Sequence, residues 1–365
     1  MRRITDVNVV ADDHLNDVSR LVIPLDELEP RHIGAWRELA ERAAEPNPFF
    51  EPECLLPAAR LFGMSHVGLI VVEDVHHDWL ACVPVSSRLQ LRHGRVPVLS
   101  VWRHLYASLG TPLVARSTVE LATEKLIQQA FRASHLGVVA LPWLGDDGPV
   151  AAGLLAALEA SGGRPALHRS FERAVMRRST LADGLEPLLG RGHRRDLSRL
   201  GRRLAERLGA PLELRDESDR AGAVEGFLAV EASGWKGENG TAFARLDGHD
   251  EFFRELCAGF RAAGRLQLLT LGSAERTVSY KCNLLAGDAV FCFKIAFDES
   301  FARYRPGLQL ELRMLELFRD QMSQTWMDSC AAADSPLFEH LWPERRRIRA
   351  FSRAVTSPAS NGLAM

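Results

Sequence analysis

The chain has 365 residues, of which 46% are hydrophobic and 25% are charged, and its formal net charge is -2. This composition excludes disordered and fibrous proteins, and the length suits two domains of about 150 to 180 residues each. No apolar run approaches the roughly 18 residues that span a bilayer, and four aspartates lie within the first twenty positions, where a signal peptide would be apolar. We therefore expect a cytoplasmic protein without a transmembrane segment.

Cysteine and lysine usage gives two further signals. The six cysteines are scattered without a CxxC pair, so we expect neither a disulfide framework nor a metal site. Only four of the 45 basic residues are lysines, namely Lys125, Lys236, Lys281 and Lys294. Arginine replaces lysine well on a solvated surface but not where a compact or deprotonatable amine is required. A remaining lysine therefore deserves scrutiny as a functional residue.

The N-terminal half contains helix-like and strand-like segments, recognised by apolar spacings of 3.6 and 2 residues. A short strand and two helices come first, then a three-stranded meander, a helix, a buried strand, a helix and a last strand. The predicted segments are strand 21–23, helix 32–44, a helix after 52, strands 67–73, 79–91 and 96–102, helix 118–133, strand 137–141, helix 149–160 and strand 166–177.

The second half repeats this order. The predicted segments are helices at 185–208, strand 212–215, helices 221–233 and 251–263, strands 266–271, 277–285 and 289–297, helix 308–320, strand 325–327, helix 337–342 and strand 347–355. A meander, a helix, a buried strand, a helix and a last strand, occurring twice, predict two α/β domains of similar plan. We assign residues 1–178 to the first domain, 179–356 to the second and 357–365 to a disordered tail.

Several motifs of the second half occur together in order. They are EASGWKG at 231–237, GTA at 240–242, FKIAFDE at 293–299, FARYRPG at 301–307, MDSC at 327–330 and HLWPERR at 340–346. This set resembles the GNAT-type acetyltransferases associated with bacterial cellulose biosynthesis, often called CelD-like, which are similar to the tandem-GNAT FemAB-type ligases. Arg305 and Phe297 depart from that pattern, where a small residue and Tyr are more common. In the first half only the segment 49–52 resembles the family.

The resemblance implies two tandem GNAT-like domains, each a mixed, mostly antiparallel twisted sheet flanked by helices. It also implies that acetyl-CoA or another acyl-CoA binds where the fourth and fifth strands part, with its pyrophosphate at the N-terminus of the next helix, where free N–H groups and the helix dipole favour anions. The expected CoA contacts are Arg303, Tyr304, Arg305, Pro306, Gly307 and Leu308. A plain turn before a helix is the alternative for this segment.

The hairpin around Gly287-Asp288 permits a prediction from register alone. A two-residue turn pairs residues whose numbers sum to 575, which places Lys281 opposite Lys294. Like charges directly opposite are destabilising, so this pairing requires an anion, a carboxylate or a lowered pKa. The alternatives are that both lysines reach solvent or that a longer turn shifts the register.

Acyl transfer to an amine needs a general base and a donor for the oxyanion. Asp298 and Asp328 end the fourth and fifth strands, so the fold implies that both lie at the mouth of the gap, and Lys294 and Glu299 are lesser candidates. The alternative is that the two aspartates only cap loops. The resemblance further implies substrate contacts from Trp235, Lys236, Thr241, Lys281 and Glu299.

The predicted helix at 185–208 contains seven arginines and two acidic residues after position 190. This face suits a phosphorylated substrate, tRNA or an anionic membrane, although a solvated helix face is the simpler interpretation. The leading hypothesis is an acyltransferase that moves an acyl group from CoA to an amine or hydroxyl of a small or saccharide-like acceptor, without DNA. The alternatives are a FemAB-type ligase using aminoacyl-tRNA and a non-catalytic scaffold in exopolysaccharide synthesis.

Overall fold

The computed structural model describes residues 22–90, 96–134, 137–333, 335–339 and 341–354. The predicted tail and His340 lie outside these residues. The chain divides into two compact units, one formed by Met1–Glu172 with Arg346–Met365 and the other by Arg173–Arg345. We assigned residues 346–354 to the second domain from sequence order, whereas the structure groups them with the first unit.

The first unit contains a sheet with four helices. Among the residues that the structure describes, its strands run in the order β1-β2-β3-β4-β6-β13, with β5 beside β3, and only β4 and β6 are parallel. The elements are β1 Ile23–Pro24, α1 Pro30–Glu41, α2 Pro52–Phe62, β2 Gly68–Glu73, β3 Trp79–Gln90, β4 Val96–Val101, β5 Leu113–Val114, α3 Val119–Ala133, β6 Val138–Gly145, α4 Pro149–Ala160 and, at the C-terminus, β13 Glu344–Ala354.

The second unit has a sheet in the order β7-β12-β11-β10-β9-β8, and within its described residues only β11 and β12 are parallel. Its elements are the end of β7 Ala166–Arg177, α5 Arg191–Leu208, β8 Glu213–Asp216, α6 Ala223–Ser233, α7 Trp235–Glu238, α8 His249–Ala262, β9 Leu266–Gly272, β10 Thr277–Ala286, β11 Ala289–Phe297, α9 Pro306–Asp320, β12 Trp326–Asp328 and α10 Pro336–Glu339.

Both sheets follow one plan, in which an antiparallel meander leads to a single parallel pair and then to an antiparallel last strand. The predicted α/β class and its repetition are confirmed. The last strand of each sheet comes from the other half of the chain. In the first sheet β13 pairs with β6, and in the second sheet β7 pairs with β12. Sequence order alone did not indicate this exchange.

Helix α9 shows how the second core is built. Four of its side chains at helical spacing are fully buried, namely Leu310, Met314, Leu315 and Phe318. Each such side chain contributes about 1.5–3 kcal/mol by leaving water. This packing fixes α9 against the sheet, and its N-terminus is thereby fixed beside the end of β11. In the described part of the chain, no helix combines the length and apolarity needed to cross a membrane.

Candidate functional site

The parallel strands β11 and β12 part after a short contact. They form three pairs, the last between Phe291 and Asp328, after which β12 ends and β11 continues to Phe297. The N–H of Asp298 donates to β10 over 2.9 Å. Because successive backbone groups point to opposite sides of a strand, those of Ile295 and Phe297 face away from β10 and toward the opening. In the described part of the second unit, no second strand pairs with this end of β11, which therefore lies open beside a gap.

The corresponding gap of the first unit is filled by its own chain. There the last parallel pair joins Ser100 to Ala140. The N–H of Gly110 then donates to the carbonyl oxygen of Trp143 over 2.8 Å. The approach is so close that a Cβ atom at Gly110 would lie 2.0 Å from the carbonyl oxygen of Pro142. Since this loop occupies the edge of β6, the second unit is the better location for an acyl-donor site.

Helix α9 presents its N-terminus to a cavity in the second unit. Pro306 begins the helix, and the first turn contains no Asp or Glu. Arg305 precedes it in the left-handed conformation, with φ 53° and ψ 54°. That conformation strains a residue with a Cβ. The cavity has a volume of about 610 Å³ and is lined by Leu188, Leu189, Gly190, His193, Arg305, Leu308, Leu337 and Leu341.

The six predicted CoA contacts divide into three groups. Arg305 and Leu308 line the cavity, and Pro306 and Gly307 are buried in the first turn of α9. The hydroxyl of Tyr304 accepts from Arg303 over 2.5 Å, and the ring of Tyr304 packs in a separate cluster. The structure therefore brings four of the six residues to the helix end and directs Arg303 and Tyr304 elsewhere.

The predicted acceptor residues surround the start of α7. Helix α6 stops at Ser233, where the predicted helix ends, and Trp235 begins α7 after Gly234. A carboxylate oxygen of Glu299 accepts from the N–H of Trp235 over 2.6 Å and so caps α7. The Thr241 hydroxyl donates to the carbonyl of Lys236 over 3.3 Å and closes the following turn. The Trp235 side chain is 52% exposed.

Lys236 connects this segment to the open edge of β11. Its ammonium group donates to Glu231 over 3.0 Å and to the carbonyl oxygen of Ile295 over 3.2 Å. The other oxygen of Glu231 accepts from the N–H of Phe243 over 2.9 Å, inside the protein. Glu231 is the first residue of the EASGWKG motif, but the sequence did not identify it as a site residue. It sets the position of Lys236 beside the gap.

The predicted pairing of Lys281 with Lys294 is wrong. The two-residue turn exists, and pairing follows the predicted sum from Ala286 to Asn283. A β-bulge then shifts the register by one, so that Lys281 pairs with Ile295 and Cys282 pairs with Lys294. Because successive side chains point to opposite faces, the two lysines project from opposite sides of the sheet.

Lys281 is buried on the α9 side of the sheet. It forms an ion pair with Glu311, and its ammonium group lies 5.6 Å from the ring centre of Phe338 and 6.0 Å from that of Trp342. Burial lowers the pKa of Lys281, but the neighbouring Cys292 and Glu311 outweigh it, so the pKa is raised. The structure thus gives Lys281 a carboxylate partner within the protein. Its predicted substrate contact stays a prediction.

Lys294 lies on the α7 side, next to Lys236 and Glu231. Its ammonium group is 5.0 Å from the ring centre of Phe243 and 5.9 Å from that of Phe293. The pKa of Lys294 is lowered to about 8, chiefly by burial and also by the charge of Lys236, while Glu231 opposes the shift. An amine with this pKa is partly neutral at pH 7 and can accept a proton.

Asp298 follows β11 and interacts with its own loop. Its carboxylate accepts from the N–H of Ser300 over 3.0 Å and from Arg276 over 2.8 Å. Burial raises the pKa of Asp298, but the hydrogen bonds from Ser300 and Arg276 outweigh it and lower the pKa below its ordinary value. A carboxylate held in this way is a weak base, so the geometry argues for loop capping, and the catalytic role stays a prediction.

We expect Asp298→Asn to lower the transfer rate by less than about threefold, because the amide oxygen still accepts from Ser300 and no proton transfer is lost. The measurement is the initial rate of CoA release from acetyl-CoA with an amine acceptor. A loss of tenfold or more in a folded variant would restore Asp298 as the base.

Asp328 ends β12 and is fully buried. One carboxylate oxygen accepts from Arg173 over 2.7 Å, and the other accepts from the N–H of Cys330 over 2.8 Å. Arg173 is fully buried and Cys330 is partly buried, and both belong to the protein, so the observed geometry gives Asp328 a structural role at the start of the gap. Among the described residues, no group of three or more His, Cys, Asp or Glu side chains is arranged to hold a metal ion.

Comparisons with known proteins agree with this geometry. Residues 191–335 match the family described as an acetyltransferase (GNAT) domain. That range begins with α5 and includes the whole gap between β11 and β12. No curated protein matches the chain.

Two solved structures share the fold over most of the chain. The crystal structure of FemX superimposes with a TM-score of 0.58 and 12% identity, over 88% of this chain and 96% of that one. A conserved protein of unknown function from Bacteroides thetaiotaomicron VPI-5482 has a TM-score of 0.54 and 14% identity, over 88% of this chain and 97% of that one. The predicted tandem GNAT-like fold is confirmed.

Proposed function

We propose that the protein is an acyltransferase that moves an acyl group from acyl-CoA to an amine or hydroxyl of a small or saccharide-like acceptor. The observation that carries this proposal is the early separation of β11 from β12, next to a helix N-terminus that faces a cavity of about 610 Å³. The gap accommodates a thioester arm, and the helix end suits the pyrophosphate. The match of residues 191–335 to the GNAT domain supports the same reaction class.

The open edge of β11 would stabilise the transition state. The N–H groups of Ile295 and Phe297 point into the gap, where a backbone donor can bind the oxyanion of a tetrahedral intermediate. Arg305 lines the cavity at the helix end and supplies a positive charge for the pyrophosphate. The donor would thus be held at both ends by groups of the second unit.

Lys294 is the proposed general base. The acceptor amine attacks the thioester carbonyl carbon, Lys294 takes a proton from the nitrogen, and the C–S bond breaks to release CoA as its thiolate. The aromatic rings around Lys294 keep its ammonium form poorly solvated, and Lys236 adds a like charge. Trp235 is exposed at the same end and would contact the acceptor.

An aminoacyl-tRNA donor is the second candidate, and the fold shared with FemX supports it. The two hypotheses differ in the acyl donor that the reaction requires. Acyl transfer that depends on charged tRNA and not on acetyl-CoA would favour the ligase, whereas binding of neither donor would favour a scaffold role. The resemblance to CelD-like proteins stays a hypothesis about the biological setting.

We expect Leu308→Glu to weaken acetyl-CoA binding about tenfold in isothermal titration calorimetry. The new carboxylate would face the pyrophosphate at the start of α9, where it repels the ligand but complements the helix dipole, so folding should be preserved. Leu308→Gln is the matched control with the same shape and no charge. Equal affinities for the Glu and Gln variants would show that the pyrophosphate binds elsewhere.

A further inference from the structure

A bulge in β6 gives the first unit a feature that the proposed function does not use. The register between β13 and β6 shifts at Pro142 and Trp143 of β6. Trp143 has a φ of 57°, in the left-handed region that a residue with a bulky side chain rarely adopts. Bulges re-aim a side chain, and they are over-represented next to active sites. The bulge therefore determines where the Trp143 ring points.

The Trp143 ring belongs to a chain of contacts between cations and aromatic rings. The guanidinium carbon of Arg103 lies 4.1 Å from the ring centre of Trp143. The ring centres of Trp143 and Phe171 are 5.1 Å apart, and their planes meet edge to face at 69°. The guanidinium carbon of Arg169 lies 5.3 Å from the ring centre of Phe171. We call these four residues of the first unit the arginine–aromatic cluster.

The two arginines of this cluster have no carboxylate partner. Within the part of the chain that the structure describes, neither Arg103 nor Arg169 forms an ion pair. Arg103 is half-buried and donates to the carbonyl oxygen of Ala107 over 2.7 Å. Burial lowers the pKa of Arg103, and the charge of Arg169 lowers it as well, so the two guanidinium groups are close enough to repel each other. An anion bound between them relieves that repulsion.

Two guanidinium groups beside aromatic rings suit a ligand that has both a charge and an apolar face. A guanidinium binds a carboxylate through two parallel N–H···O bonds. Aromatic side chains present apolar surface to the C–H groups of a sugar ring. A hexuronate has its carboxylate directly on such a ring. Arg169 is exposed, and Trp143 and Phe171 are partly exposed, so a saccharide reaches the cluster from solvent.

We propose that the arginine–aromatic cluster binds an acidic saccharide, with a hexuronate carboxylate between Arg103 and Arg169 and the sugar ring against the exposed parts of Trp143 and Phe171. The inference does not rest on the proposed function. The cluster flanks the filled gap of the first unit, because Arg103 follows β4 and the carbonyl oxygen of Trp143 accepts from Gly110. The first unit thereby acts as a saccharide-binding module.

The test measures binding of tetragalacturonate to the full chain by isothermal titration calorimetry at fixed salt, with cellotetraose as the neutral counterpart. We expect wild-type protein to bind tetragalacturonate about tenfold more tightly than cellotetraose, because only the former offers carboxylates to the arginines. Arg169→Gln should weaken tetragalacturonate binding about fivefold. Its side chain is exposed, so folding is preserved. Arg164→Gln is the matched control, since Arg164 is an exposed arginine of the same unit outside the cluster.

A second variant tests the aromatic part of the site. Trp143→Gly removes the ring at a position whose left-handed backbone glycine adopts without strain, so the bulge should persist. We expect this variant to weaken tetragalacturonate binding about tenfold, because ring contact and the position of Arg103 are both lost.

Four outcomes would overturn the inference. Wild-type protein could bind tetragalacturonate and cellotetraose equally, or fail to bind tetragalacturonate. Equal losses in Arg169→Gln and Arg164→Gln would indicate diffuse attraction to a positive surface. Tighter binding of glucose 6-phosphate than of galacturonate would show that the arginines select phosphate. Because every measurement is one of binding to the first unit, each result is independent of whether the second unit transfers acyl groups.

Discussion

Replacing Lys294 with methionine is expected to lower kcat/KM for acetyl transfer at pH 7.5 by about 10²-fold to 10³-fold, with acetyl-CoA affinity within threefold of wild type. General-base catalysis contributes about 10²–10⁴-fold, and methionine keeps the length of the side chain without a basic atom. The assay follows CoA thiol release from acetyl-CoA with glucosamine as the acceptor. Lys294→Arg should be equally impaired, because a guanidinium does not deprotonate at this pH.

The pH profile separates a base from a positioning group. Because the neutral amine is the active form and the pKa of Lys294 is lowered to about 8, wild-type kcat/KM should rise with pH and level off above that value. Lys236→Met removes the nearby positive charge and leaves Glu231 without its cation, and both changes raise the pKa of Lys294. The rise should therefore move to higher pH. Unchanged activity in Lys294→Met, or an unmoved profile in Lys236→Met, would contradict the assignment.

The scarcity of lysine was the most informative signal in the composition. Lys125 is exposed on α3, but the other three make specific contacts in the second unit. Lys236 and Lys294 adjoin the open edge of β11, and Lys281 is buried against Glu311. Arginine is too large and too rigid to replace a compact ammonium in such positions. The interpretation that a remaining lysine marks a functional residue stays a prediction for these three residues.

The sequence predicted the elements well because apolar periodicity is a local property. It indicated the meander, the turn at Gly287 and helix α9, whereas the gap between two strands was implied by the family resemblance. It failed at the bulge near Lys294, where one extra residue reverses the faces of everything beyond it, and strict alternation contains no sign of such a residue. The sequence therefore predicted the position of the hairpin, but not which side chains lie opposite each other beyond the bulge.

Partners distant in sequence were the second source of error. Arg173 contacts Asp328 across 155 positions, and Glu311 on α9 contacts Lys281 across 30. A single sequence does not indicate which oppositely charged side chain will form an ion pair with Arg173 or with Glu311. Asp298 and Asp328, the two predicted bases, do lie at strand ends. The arginines that form ion pairs with them come from other parts of the chain. Assigning chemistry from strand ends alone therefore overlooks structural ion pairs.

Replacing Asp328 with alanine is expected to destabilise the second unit by about 3–5 kcal/mol, because it leaves the Arg173 guanidinium buried without its carboxylate. That is a large fraction of the roughly 5–15 kcal/mol that stabilises a typical domain. The measurement is the midpoint of urea unfolding by circular dichroism. Arg173→Met combined with Asp328→Leu should recover most of the loss, since two apolar side chains remove both charges from the interior.

Asp298→Ala is the matched control for this experiment, because it removes a partly exposed ion pair that contributes about 1 kcal/mol or less. Comparison of the two alanine variants distinguishes a structural carboxylate from a catalytic one. If Asp328→Ala unfolds at the wild-type urea concentration yet transfers acyl groups at least tenfold more slowly, the carboxylate acts in the chemistry. If its midpoint falls and the double variant restores both stability and turnover, Asp328 maintains the strand end from which the gap opens.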